Sequence, residues 1–123
     1  MDKRAPYGVT KKDFLLFQKE VRKWVDFFGL KQWELHFLHE EIGDRAQVWF
    51  SDISGIATFK LCKFSEDLMP PNMIRRTAFH EVCELLMVPL TSLTLKWYSQ
   101  DVMQARVHDI IRRLENTVFE ESI

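Results

Sequence analysis

Cysteine is scarce in this chain: Cys62 and Cys83 are the only two in 123 residues. This is not the dense, regularly spaced pattern of a disulfide framework. Glycine and proline are also few, four of each, and no repeat, low-complexity tract or linker stands out. Long apolar runs are missing. No stretch approaches the roughly eighteen apolar residues of a membrane span. The opening Met1-Asp2-Lys3-Arg4-Ala5-Pro6 has a basic element but no apolar segment behind it, so it is not read as a signal peptide. A reducing cytosol is the expected compartment, with no membrane partner. An excess of one charge is missing too. Seventeen basic and eighteen acidic residues give a formal charge of −1. Wholesale nucleic-acid binding shows as a basic excess, so nucleic acid is not expected as a partner.

What remains is ordinary globular composition, with 46% hydrophobic and 28% charged residues. The length suits one domain and a core that folds without a metal staple. A bound metal is then expected to be catalytic rather than structural. Residues 1–9 read as a flexible arm broken by Pro6 and Gly8, and residues 10–123 as the single domain.

Thr10 and Asp13 form a capping-box pattern. Behind it Phe14, Phe17, Val21, Trp24, Val25 and Phe28 recur at helical spacing, and Gly29 supplies a stop. Trp33, Leu35 and Phe37 alternate with Glu34 and His36, which predicts a half-buried strand. Two more strands are expected at Ala46–Phe50 and Ile56–Leu61, with 52–55 as a hairpin loop between them. After Pro70 and Pro71 a helix is expected from about Asn72 to Val88, ended by Pro89. A Thr/Ser loop at 91–94 and a last helix from Gln100 to Phe119 complete the chain. That helix is expected to turn Val102, Ala105, Ile110 or Ile111, Leu114 and Val118 inward. The order predicts an α+β fold: an N-terminal helix, a three-stranded antiparallel or mixed sheet, then two helices.

The chemistry concentrates at Ala78-Phe79-His80-Glu81-Val82-Cys83-Glu84. His80 and Glu84 are four apart, one turn along the same helix face, and both residue types ligate divalent ions. Glu81 sits about 100° further round, where a general base reaches a metal-activated water without occupying the metal. The familiar form of this device is His-Glu-x-x-His; here Glu84 replaces the second histidine. The flanking Ala78, Phe79, Val82, Leu85, Leu86 and Met87 are apolar, so the helix is buried and its charges need partners.

A catalytic zinc ion needs a third protein ligand, and the last helix offers His108 and Glu115. With the two helices antiparallel, His108 lies about 13 Å into its helix, close in depth to His80 and Glu84. Glu115 overshoots by about 10 Å, but slack in 89–98 keeps it open as the alternative. The expected site is therefore one Zn2+ held by His80, Glu84 and His108, with Glu81 as the catalytic base.

At this point the chain resembles the minimal zincins, compact metallopeptidases of the SprT-like and minigluzincin kind that include small phage-encoded members. The resemblance rests on Trp33-Glu34-Leu35-His36-Phe37, two further strands, Arg76-x-x-x-His80-Glu81, and a second long helix with a ligand. It implies a zincin-like fold, peptide-bond hydrolysis, and an extended substrate paired to a strand edge, either Ala46–Ser51 or Ile56–Leu61. Gluzincins use two histidines and one glutamate, with the glutamate on the later helix. His80, Glu84 and His108 keep that composition with two positions exchanged. The alternative is a catalytically inactive zincin-like module that binds a protein or peptide partner.

Other candidates have plainer readings. Cys83 and Cys62 are expected in the core. His36 and His39 fall on opposite faces of a strand and form no joint site. Tyr98 is a candidate oxyanion partner. Arg112 and Arg113 belong to the solvated or ion-paired side of the last helix.

Overall fold

A computed structural model describes residues 6–95 and 97–123. The fold is α+β, as the element order predicts. The first helix, α1 (Lys11–Phe27), begins at the expected box: the Thr10 hydroxyl accepts from the Asp13 amide at 3.1 Å, and the Asp13 carboxylate accepts from the Thr10 amide at 2.9 Å. It ends in a Schellman motif. Gly29 has φ 69°, Leu30 donates to the Val25 carbonyl and Gly29 to that of Asp26.

Strands β2 (Glu34–His39), β3 (Ala46–Ser51) and β4 (Ile56–Leu61) form one mixed sheet in the order β2-β4-β3. β3 and β4 make the expected antiparallel hairpin, with Ala46 opposite Leu61. β2 lies parallel to β4, with His39 also opposite Leu61. The chain therefore crosses the end of β4 between 40 and 45. That crossing is pinned by the Glu40 amide on the Leu61 carbonyl and the Cys62 amide on the Arg45 carbonyl. β4 is central and fully paired. Of the two expected docking edges, Ile56–Leu61 thus has no free side, whereas among the described residues Ala46–Ser51 does. Ala57, Phe59 and Leu61 of β4 are buried, and the alternate residues point outward.

The first five residues of the expected arm lie outside the described residues. The rest of it is ordered: Tyr7–Gly8 (β1) pairs antiparallel with Phe64–Ser65 (β5), and Val9 is buried.

Helix α2 (Pro71–Leu86) is the centre of the molecule. Pro71 occupies its first turn, where a missing N–H costs nothing. Ile74, Ala78, Phe79, Val82, Cys83 and Leu85 are all buried. Phe79 meets Trp24 of α1 edge-on at 4.7 Å and Phe119 near the C-terminus at 5.4 Å. Pro89 does not simply stop this helix. After a break at Met87 it opens a short helix, α3 (Val88–Thr94), so the expected 91–94 loop is helical.

The last segment is α4 (Gln100–Leu114), a π turn (Glu115–Phe119) and a final turn, α5 (Glu120–Ser122). Its buried residues are Met103, Val107, Ile111 and Phe119. Val102 and Ala105 are exposed, contrary to expectation. The helix carries two apolar rows: one packs inward, and the other, through Val102 and Ile110, lines a groove beside α3. Leu114 and Val118 pack partly buried against the core, as expected, and the wider π turn brings Phe119 fully inside beside them. Among the described residues no helix is long and apolar enough to cross a membrane.

Because Phe79 is fully buried between two other aromatic rings, Phe79→Ala should cost about 3–5 kcal/mol. Urea denaturation followed by circular dichroism measures this directly, and a loss below about 1 kcal/mol would contradict the packing described.

Candidate metal centre

α2 is buried on most faces, and its polar side chains leave it in several directions: Arg75 towards Glu20 and Lys23 of α1, Thr77 and Glu81 towards Ala46 of β3. One face meets α4. His80 and Glu84, one turn apart on α2, face His108 of α4, and one ligand atom from each lies within 4.8 Å of the others. Glu84 Oε1 and His108 Nε2 are 3.5 Å apart. Two ligands of a tetrahedral ion with bonds near 2.0–2.1 Å are separated by about 3.4 Å. The imidazole rings of His80 and His108 are 5.4 Å apart between centroids. The donors are two imidazoles and one carboxylate, a set suited to Zn2+. On both spacing and chemistry these residues fit a single divalent ion.

Glu115 stands elsewhere. Its Oε2 is 3.5 Å from His80 Nδ1, which leaves Nε2 as the nitrogen for an ion. A carboxylate behind a ligating histidine fixes the ring and its tautomer. Glu115 opens the π turn, and such local widenings recur where a helix presents functional groups. Of the two residues open as third ligand, the structure gathers His108 with His80 and Glu84 and sets Glu115 behind His80.

Glu81 is only 6% exposed. Burial pushes its carboxyl well above the usual range, and the neighbouring Glu84, through its charge and a hydrogen bond, and the charge of Asp44 push it further. His80 is also raised. The cause is its hydrogen bond to Glu115, aided by the Glu84 and Glu115 charges and opposed by burial. Cys83 lies outside the three-residue cluster. Burial first, then the charges of Glu115 and Glu84, lift its thiol to about 12, which makes it a core side chain rather than a thiolate.

Beside the cluster is a cleft of about 250 Å³ lined by Arg45, Ala46, Met73, Arg76, Thr77, His80, Glu81 and Glu115. Arg45 and Thr77 had no signal in the sequence pattern. Arg76 precedes His80 by one helical turn, and that spacing alone places it on the same face. Tyr98 does not face this cleft. It is 61% exposed and lines the separate apolar groove with Met87, Leu90 and Met103, so it is no oxyanion partner here. His36 points outward and pairs with Glu34 at 2.6 Å, while His39 stacks on Phe14 and contacts the Cys62 carbonyl. These two histidines form no joint site. Arg112 is exposed beside Asp109.

No family model, curated protein or solved structure matches this chain.

The two raised groups set a pH dependence for the metal-free protein. Glu81 holds its proton in the folded state above the value of 4.5 that applies when unfolded. Folding therefore binds a proton in that interval, and stability falls as pH rises above about 4.5. His80, raised above 6.5, contributes stability that is complete below 6.5 and lost as pH rises through its folded value. In EDTA, Tm should fall from pH 5 towards pH 8. Glu81→Gln should flatten the Glu81 part of that slope and raise Tm at the alkaline end. Thermal melts across the range check both; a wild-type Tm that climbs with pH would refute the assignment.

Proposed function

We propose that this protein is a zincin-like metallopeptidase that uses one divalent ion, Zn2+, on the variant set His80, Glu84 and His108. The observation that carries the proposal is the convergence of these three donors within 4.8 Å, with the buried Glu81 alongside. The α+β order, with a sheet followed by the His-Glu helix and a second ligand-bearing helix, supports the resemblance to the minimal zincins. The two free cysteines favour a reducing compartment such as the cytoplasm.

An ion in this set supplies Lewis-acid polarisation and lowers the pKa of water towards 7. The protein groups do the rest. His80 and His108 present neutral imidazole nitrogens, and Glu84 contributes one negative charge. Glu115 holds the His80 ring. Glu81 accepts a proton from the attacking water and returns it to the leaving amine. Its raised pKa brings a carboxyl group nearer the working pH, as an acid-base residue requires. A nearby cation draws the same carboxyl back towards ionisation. The free edge of β3 is the side on which an extended peptide pairs.

Zinc stoichiometry tests the reading. Wild type should hold about one equivalent, and His80→Ala should lose it, since a catalytic site needs three protein ligands. Glu115→Gln should retain the site with about 10–100-fold weaker affinity. Glu84→His separates a working variant from a lost one. Equal affinity in wild type and E84H supports the exchanged ligand set. Zinc bound by E84H alone favours a non-catalytic binding module on the same fold, consistent with the residue at position 84.

A further inference from the structure

The cleft beside the candidate metal residues carries two guanidinium groups that the hydrolytic roles above do not use. Arg45 comes from the crossing that leads into β3, and Arg76 from α2, one turn before His80. Both line the same small cleft. Each is held from outside by an acidic residue that does not line it. Arg45 Nη2 donates to Asp67 at 2.7 Å, and Arg76 Nη2 donates to Glu120 while its guanidinium lies over Phe119. One nitrogen of each group is thus engaged by a carboxylate, and Arg45 Nη1 donates weakly to Met73 Sδ at 3.8 Å, from forks of five N–H donors. The carboxylates within the cleft are turned elsewhere, Glu115 onto His80 and Glu81 onto Glu84.

The fold also gives the cleft a direction. Ala46, the first residue of β3, sits with Met73, Arg76 and Thr77 from the first half of α2. The far end of the hairpin, Asp52 and Gly55, sits with Leu85 and Leu86 at the end of α2. β3 and α2 therefore run in the same sense. A peptide added antiparallel to β3 brings its C-terminal end to Arg45 and Arg76. A peptide added parallel brings its N-terminal ammonium there, against two positive charges. At about 250 Å³ the cleft is smaller than the roughly 300–1,000 Å³ of pockets that enclose a whole small ligand. It has room for the end of a chain.

We infer that Arg45 and Arg76 form a subsite for the free C-terminal carboxylate of a short peptide, which sets substrate polarity and confines the enzyme to cleavage near a C-terminus. Planar guanidinium forks suit a carboxylate because two parallel N–H···O bonds form at once. Asp67 and Glu120 then act as local competitors that hold the two side chains in place when the cleft is empty. This inference rests on the peptidase reading for the reaction, but not for the binding step, and the two are tested apart.

The probes are N-acetyl-trialanine with a free carboxylate and the same peptide as its C-terminal amide. Binding is followed by NMR on the full chain, once with an equivalent of zinc and once in EDTA, with zinc content measured on the same samples. The carboxylate form should bind about tenfold more tightly than the amide, and it should shift the arginine Nε–H signals and the amides of Ala46 and Thr77. Arg45→Gln and Arg76→Gln should each abolish the preference, and Glu120→Gln should increase it by freeing Arg76. Arg76→Gln also loses its contacts to Glu120 and Phe119, so its fold is checked by circular dichroism. Arg45→Gln, whose pair lies at the surface, carries the test alone if that variant unfolds. Equal affinity for the two peptides, no binding of the carboxylate form at millimolar concentration, or a preference that survives both arginine variants would overturn the subsite. Absence of zinc with an intact carboxylate preference would overturn the peptidase reading and leave the subsite standing.

Discussion

The burial of α2 is the constraint on which the other features depend. Its fully buried Phe79 is held edge-on by Trp24 from one side and against Phe119 from the other. Those rings fix the rotation of the helix about its own axis. Once Phe79 points into the aromatic cluster, His80 is carried about 100° round, towards α4, and Glu84 follows one turn later. No flexible loop intervenes between the core and the candidate ligands. Sites built on packed helices hold their groups more closely than sites on loops, and here the packing residue and a ligand are adjacent in the chain.

Burial also dictates how the charged groups must behave. A lone ionised side chain beside such a core is costly, so each one finds a partner. His80 meets Glu115, His108 meets Glu84, and Glu81 shares a hydrogen bond with Glu84. The result is a compact group of two imidazoles and three carboxyls, crowded with negative charge unless its members hold protons. Burial first, and then this crowding, raises Glu81, and the hydrogen bond to Glu115 raises His80. It also means that the grouping which makes this a candidate metal centre weakens the fold as pH rises. Arg45 and Arg76 bring two guanidinium groups, each paired with a carboxylate, to the next part of the cleft.

Several elements were legible in the residues because a local rule dictated them. The Thr10–Asp13 box, the Gly29 stop and the β3–β4 hairpin depend on neighbours within a few positions, and the structure repeats them. The misplaced features involve a choice between equivalent local solutions. α4 has two apolar rows, and nothing within the helix says which faces the core; α2 selects Met103, Val107 and Ile111. The π turn adds Phe119 to the core beside Val118, and its sequence, Glu-Asn-Thr-Val-Phe, has no distinctive signal. Pro89 is equally suited to ending one helix or starting another. Tyr7 and Gly8 pair with residues more than fifty positions away, beyond the reach of any local pattern.

The candidate site divides along the same line. His80, Glu81 and Glu84 share a helix, so their relative positions follow from the 3.6-residue turn alone, and the sequence by itself determined them. His108 was within reach of an estimate of depth along two antiparallel helices, although that estimate could not separate its part from that of Glu115. Only the tertiary structure decided that His108 faces Glu84 while Glu115 stands behind His80, because that depends on the angle and rotation of α4 against α2. It also decided the direction of β3 beside α2 and the meeting of Arg45 with Arg76. Helix geometry is set by backbone hydrogen bonds between near neighbours, whereas the relation between elements is set by how two particular apolar surfaces pack, and that is a property of the pair.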